Sequence, residues 1–179
     1  MQVRRVMSAA GVLTVAALTA FILVPGFSAA TNPTWTTMAP MPTARGGLAA
    51  VTVGGTIYAI GGDNVYGCSY GGIVEAYDPA TGTWTTKAVH PPQTANATAA
   101  ALNGKIYVIG GNTGCPGGTI PQAYQVEMYD PAPNAWSSRA SVNQARQTVP
   151  SAVAIGGSVY VCGGHDGVNY LASLEVYDP

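Results

Sequence analysis

The chain has 179 residues, 47% of them apolar, enough for one domain with a sizeable core. Only 8% are charged and the formal net charge is −1, which argues against a nucleic-acid binder with a basic face and against a disordered acidic tail. The 23 glycines and 13 prolines work against long helices and leave a turn-rich, all-β composition.

The first element in chain order is an export signal. Arg4 and Arg5 precede an uncharged apolar run from Ser8 to Val24, and Pro25-Gly26 breaks it. Ser28-Ala29-Ala30 then offers small residues for cleavage after Ala30. Residues 1–30 read as a secretory signal, with an uncleaved membrane anchor as the alternative, because the run reaches the ~18 residues of a spanning helix. Residues 31–179 keep all eight acidic residues and five basic ones. They are expected to be secreted, or held at a membrane only through an uncleaved first segment.

Three landmarks then recur in order. An apolar-Tyr step runs into a double glycine at Ile57–Gly62, Ile106–Gly111 and Val159–Gly164. A Glu-x-Tyr-Asp-Pro motif follows at Glu75–Pro79, Glu127–Pro131 and Glu175–Pro179. A lone tryptophan comes after the turn at Trp84 and Trp136, with an unpaired Trp35 near the start. The double glycines are 49 and 53 residues apart.

Within the first unit, strands are predicted at Leu48–Val53, Thr56–Ile60, Ile73–Tyr77 and Thr83–Thr86. They are separated by a Gly54-Gly55 turn, a variable loop and an Asp78–Gly82 turn. Asn103-Gly104 and Asp130–Asn134 are the second-unit counterparts of the two turns. The rings of Tyr58, Tyr107, Tyr160 and the tryptophans are expected to pack between units. Recurrence of Glu75, Glu127 and Glu175 at one position in every unit points to a structural role.

This order of motifs resembles the kelch repeat, whose period is about 50 residues. The resemblance implies a β-propeller of four-stranded antiparallel blades. The blades fall at roughly 45–88, 94–140 and 146–179. Trp35–Met38 reads as a fourth strand with no blade before it, so strand 34–38 is expected to complete the last blade. Three blades do not close a ring of the usual four to eight. Either the chain is a fragment of a longer propeller, or two copies assemble as three plus three into a homodimeric ring. The fragment is preferred, because Asp178-Pro179 is a turn motif with nothing to turn into.

The same resemblance implies that loops on one face bind partners. The residues there that suit hydrogen bonding and stacking are Arg45, Asp63, Asn64, Tyr66, Tyr70, Asn112, Arg146, His165, Asp166, Asn169 and Tyr170. His90, Gln93, Asn96, Asn143 and Gln144 add to the loops between blades. Cys68 and Cys115 occupy equivalent loops; an exported protein permits their disulfide, and two free or separately paired thiols are the alternative. Cys162 replaces Ile60 and Ile109 and reads as a buried apolar residue. Asn96-Ala97-Thr98 fits the N-glycosylation pattern.

Some secreted kelch proteins resemble galactose oxidase, whose copper site uses tyrosines, two histidines and a cysteine. Here His90 and His165 lie in loops of different kinds, and no residue of that site carries over. No catalytic residue, metal ligand or cofactor is therefore assigned. The expected partner is an extracellular protein or carbohydrate. The alternative function is a piece of a larger secreted carbohydrate-active enzyme whose catalytic residues lie outside this chain.

Overall fold

The computed structural model describes residues 34–63, 72–112 and 121–179. The chain divides into two units, Met1–Thr36 and Thr37–Pro179. The first is described only over 34–36, which are exposed and carry no strand or helix. The proposed signal at 1–30 lies outside the described residues. Among the described residues no helix is long and apolar enough to cross a membrane.

Among the described residues the second unit is all β apart from one 3-10 turn, Pro121–Tyr124. Blade one is an antiparallel sheet of β1 (Ala49–Val53), β2 (Thr56–Ile60), β3 (Val74–Asp78) and β4 (Thr83–Thr86), paired in that order. Blade two repeats it with β5 (Thr98–Leu102), β6 (Lys105–Ile109), β7 (Val126–Asp130) and β8 (Ala135–Arg139). Blade three has β9 (Ser151–Ile155), β10 (Ser158–Cys162) and β11 (Leu174–Tyr177), with β10 in the middle. These are three antiparallel propeller blades, two of four strands and one of three.

Turn chemistry sets the strand boundaries. Asp78 Oδ1 accepts the Ala80 amide at 2.8 Å, and Gly82 N–H reaches back to the Asp78 carbonyl at 2.8 Å. Asp130 Oδ1 does the same for Ala132 at 3.2 Å. Lys105 also donates to Asp130 from the neighbouring strand.

Alternation along the strands gives each blade two apolar faces, and the core lies between blades. Tyr58, Ile60, Val74 and Ala76 of blade one meet Ile106, Val108 and Tyr129 of blade two. Ala100, Tyr107, Ile109, Val126 and Met128 from the other face of blade two meet Val159 and Val161 of blade three. Rings meet across each junction as expected: Tyr58 with Tyr129 at 5.9 Å and Tyr107 with Tyr177 at 5.7 Å. Among the described residues the far face of blade three has no such cover. There Val153, Ile155, Leu174 and Val176 are all more than half exposed.

Two expectations change. Residues 34–38 form no strand, and the last blade is left with three. Ala39 and Thr43, further on, are fastened to blade one: Trp84 Nε1 donates to the Ala39 carbonyl at 3.0 Å, and Thr43 Oγ1 donates to Glu75 at 2.9 Å. Cys162 is exposed rather than buried. Its equivalents Ile60 and Ile109 are covered by the next blade, whereas Cys162 lies on the uncovered face.

Candidate functional site

Each loop between the second and third strands of a blade leaves from just beyond its double glycine. The first residue after that pair is anchored in all three blades. Asp63 exchanges backbone hydrogen bonds with Gly46 (3.1 and 2.9 Å), Asn112 with Ala95 (2.8 and 3.0 Å) and His165 with Thr148 (3.4 and 3.1 Å). Three half-buried polar side chains, a carboxylate, an amide and an imidazole, thus stand at equivalent stations at the loop bases. Their recurrence at one repeat position is legible in the sequence; the pairing that fixes them is not.

Asn64, Tyr66, Tyr70, Cys68 and Cys115 lie outside the described residues. The blade-three loop is described throughout, and it is braced. His165 and Tyr170 pair across its base, and their rings meet edge to face at 5.0 Å. Asp166 Oδ1 accepts the amides of Asn169 (2.7 Å) and Val168 (2.8 Å), and His165 Nδ1 accepts the Gly167 amide at 3.0 Å. The Asn169 and Val168 amides hold the Asp166 carboxyl below the usual carboxylate range. The brace leaves Val168 and Tyr170 more than four-fifths exposed.

Arg45 and Arg146 are not on this surface, because both side chains are fully buried. Arg45 donates to Glu75 (2.6 Å) and to the carbonyls of Gly61 (2.7 Å), Thr43 (2.9 Å) and Ala59 (3.0 Å). Arg146 donates to Glu175 (3.0 Å), the Gly163 carbonyl (2.5 Å) and Ser173 Oγ (3.0 Å). A guanidinium fits such a place because it offers five donors in a planar fork.

Glu175 also accepts the amides of Asn143 (2.6 Å) and Gln144 (3.2 Å). Burial pushes its carboxyl up, but the Asn143 amide, the Arg146 guanidinium and the Gln144 amide outweigh that and hold it below the ordinary value. The repeated glutamate is therefore the pin of blades one and three. In blade two Thr94 stands where the other blades have arginine, and Glu127 accepts Ser138 Oγ at 3.0 Å.

His90 is also interior. It is 1% exposed and packs on Trp136 at 4.5 Å, with Thr94 Oγ1 3.5 Å from its Nδ1. Burial pushes its pKa down to about 4, so it is neutral near neutrality. Gln93 and Asn96 take left-handed backbone conformations in the connection that follows.

Comparison with known proteins agrees with the repeat geometry. The profile of the Kelch motif matches residues 44–88, 93–143 and 150–179, most of the chain. Kelch-like protein 8 of Mus musculus is 35% identical over 63 residues, 35% of this chain and 10% of that protein. Kelch-like protein 4 of Homo sapiens is 42% identical over 53 residues, 30% of this chain and 7% of that protein. Kelch-like protein 24 of Rattus norvegicus is 44% identical over 62 residues, again 35% and 10%. The matched stretches span a tenth or less of these relatives.

Proposed function

The chain belongs to the kelch-repeat family, and we propose that it is an exported binding scaffold that holds an extracellular protein or glycan on the loop face. Kelch repeats generally mediate protein–protein interaction. The observation that carries the loop-face reading is the blade-three loop. A surface that must recognise a partner gains from being ordered beforehand, since less entropy is lost on binding. The Asp166 brace supplies that order, with an aliphatic and an amide at its tip, Val168 and Asn169, and the exposed phenol of Tyr170 at its base. Asp63 and Asn112 extend the surface along the other two blades. With Arg45 and Arg146 buried, the described part of this face carries carboxylates without a competing guanidinium. It suits a neutral glycan or a basic protein segment better than a phosphate.

Export is proposed on Arg4-Arg5, the apolar run and Ser28-Ala29-Ala30. Amino-terminal sequencing of the protein recovered outside the host membrane is expected to begin at Thr31; a start at Met1 overturns it. The binding reading is tested with the immobilised chain, probed with an array of neutral glycans and with exported proteins of the source culture. The double variant Val168→Ser, Tyr170→Ala is expected to lose at least ten-fold in signal for whatever is retained, with unchanged melting. Undiminished retention by that variant would remove the loop face from the function.

A further inference from the structure

Blades one and three set a buried arginine on their repeated glutamate, and blade two does not. The backbone fixes which stations correspond. Gly62 N–H donates to the Thr94 carbonyl as Gly111 N–H donates to the Arg146 carbonyl. The first glycine of each pair, Gly61, Gly110 or Gly163, donates to the residue two before the glutamate, Ile73, Gln125 or Ser173. Thr94 therefore holds the station of Arg146, and Gln125 holds that of Ser173.

The guanidinium contacts of the other blades map onto blade two. Arg146 is held by Glu175, the Gly163 carbonyl and Ser173 Oγ. Arg45 is held by Glu75 and the carbonyls of Gly61 and Ala59. Val108 pairs with Glu127 as Ala59 pairs with Glu75. The blade-two counterparts are thus Glu127, Gln125 and the carbonyls of Gly110 and Val108. All of these are oxygen acceptors, and the positive charge that such acceptors meet elsewhere is gone. Threonine ends at its γ atoms, and Thr94 Oγ1 lies 3.5 Å from His90 Nδ1.

The neighbouring residues change in the same sense. Glu175 accepts the amides of Asn143 and Gln144. Pro91 and Pro92 hold those two stations before blade two, and neither has an N–H to give. Glu127 is 7% exposed, keeps Ser138 Oγ at 3.0 Å and has no ion pair among the described residues. Gln125 Oε1 is buried and has no donor among the described residues. Buried acceptors short of donors are costly, and a cation placed on them removes the cost.

We propose that blade two binds a monovalent cation at the arginine station, held by the Glu127 carboxylate, Gln125 Oε1 and the carbonyls of Gly110 and Val108. An all-oxygen donor set suits a hard ion such as potassium or sodium rather than a transition metal. Its single negative charge is balanced by one positive charge, whereas a divalent ion would leave charge buried. Gln125 is partly exposed and gives the ion a way in. The ion joins β6 to β7 at the end of the sheet that carries Asn112, as Arg146 joins β10 to β11 in blade three. This inference does not rest on the loop-face reading.

The test is melting of the purified chain in potassium, sodium and tetramethylammonium chlorides at equal ionic strength. Tetramethylammonium, too bulky for the station, is the reference. Potassium or sodium is expected to raise the melting temperature by about 3 °C or more, in a saturable way. Equal melting in the three salts overturns the proposal, and so does protection by calcium alone. Protection by methylguanidinium with neither alkali ion effective also overturns it, in favour of an arginine side chain from a partner. Glu127→Gln is expected to abolish the difference between the salts, and a difference that persists overturns the site. If Glu127→Gln fails to fold, Gln125→Ala decides in the same way. Thr94→Arg supplies the guanidinium covalently. It is expected to melt in tetramethylammonium at least as high as the parent does in potassium, and to respond to neither alkali ion; a folded Thr94→Arg chain that still responds overturns the proposal.

Discussion

Gly110 and Gly163 hold the same station in successive blades but face different surroundings. At Gly110 (φ 69°) an added Cβ would lie 2.3 Å from the Arg146 carbonyl oxygen; at Gly163 (φ 62°) its nearest neighbour would be 3.8 Å away. Gly163→Ala is expected to cost about 1–2 kcal/mol for the left-handed backbone alone. Gly110→Ala is expected to cost at least twice as much, because the next blade must move, and thermal melting of the two variants at one concentration compares them. His90 gives a pH signature. Its folded pKa of about 4 lies below the ordinary 6.5, so only the unfolded chain takes up a proton between those values. Stability present above pH 6.5 is lost as pH falls towards 4, about 3 kcal/mol in all, and no further below it. Urea titrations are expected to show this loss, and His90→Gln to flatten it. Composition and spacing drew Arg45 and Arg146 to the surface because a guanidinium in a loop ordinarily meets solvent. Their partners, Glu75 and Glu175, lie about thirty residues on, beyond any local pattern. The glutamate recurring in every blade was the readable trace of that pairing.

At the scale of the element the strands were plain, because alternation and turn residues are local. In the first blade the observed bounds differ from those read off the sequence by a single residue, at the start of β1 and at both ends of β3. The strand at 34–38 was misplaced for a physical reason: a strand has no ladder of its own, so its residues show only what it could pair with. The glutamate pins belong to this scale too. Glu175→Ala leaves the buried Arg146 guanidinium without its carboxylate, and a loss of about 3–5 kcal/mol is expected in denaturant titration. Glu127→Ala is expected to cost clearly less, since no buried arginine depends on it. Asp166→Ala is expected to loosen the blade-three loop without touching the core. Its readout is faster amide exchange at Val168 and Asn169, with melting within about a degree of the parent.

Over the whole molecule, the three-blade order was legible as a period, whereas the unequal faces were not. A period describes each blade alike; only the packed structure shows that Val153, Ile155, Leu174 and Val176 are exposed where their counterparts in the other blades are covered. The apolar clusters lie between blades and not within them, so each blade gains its cover only from its neighbours, and stability is shared along the row rather than held by any one blade.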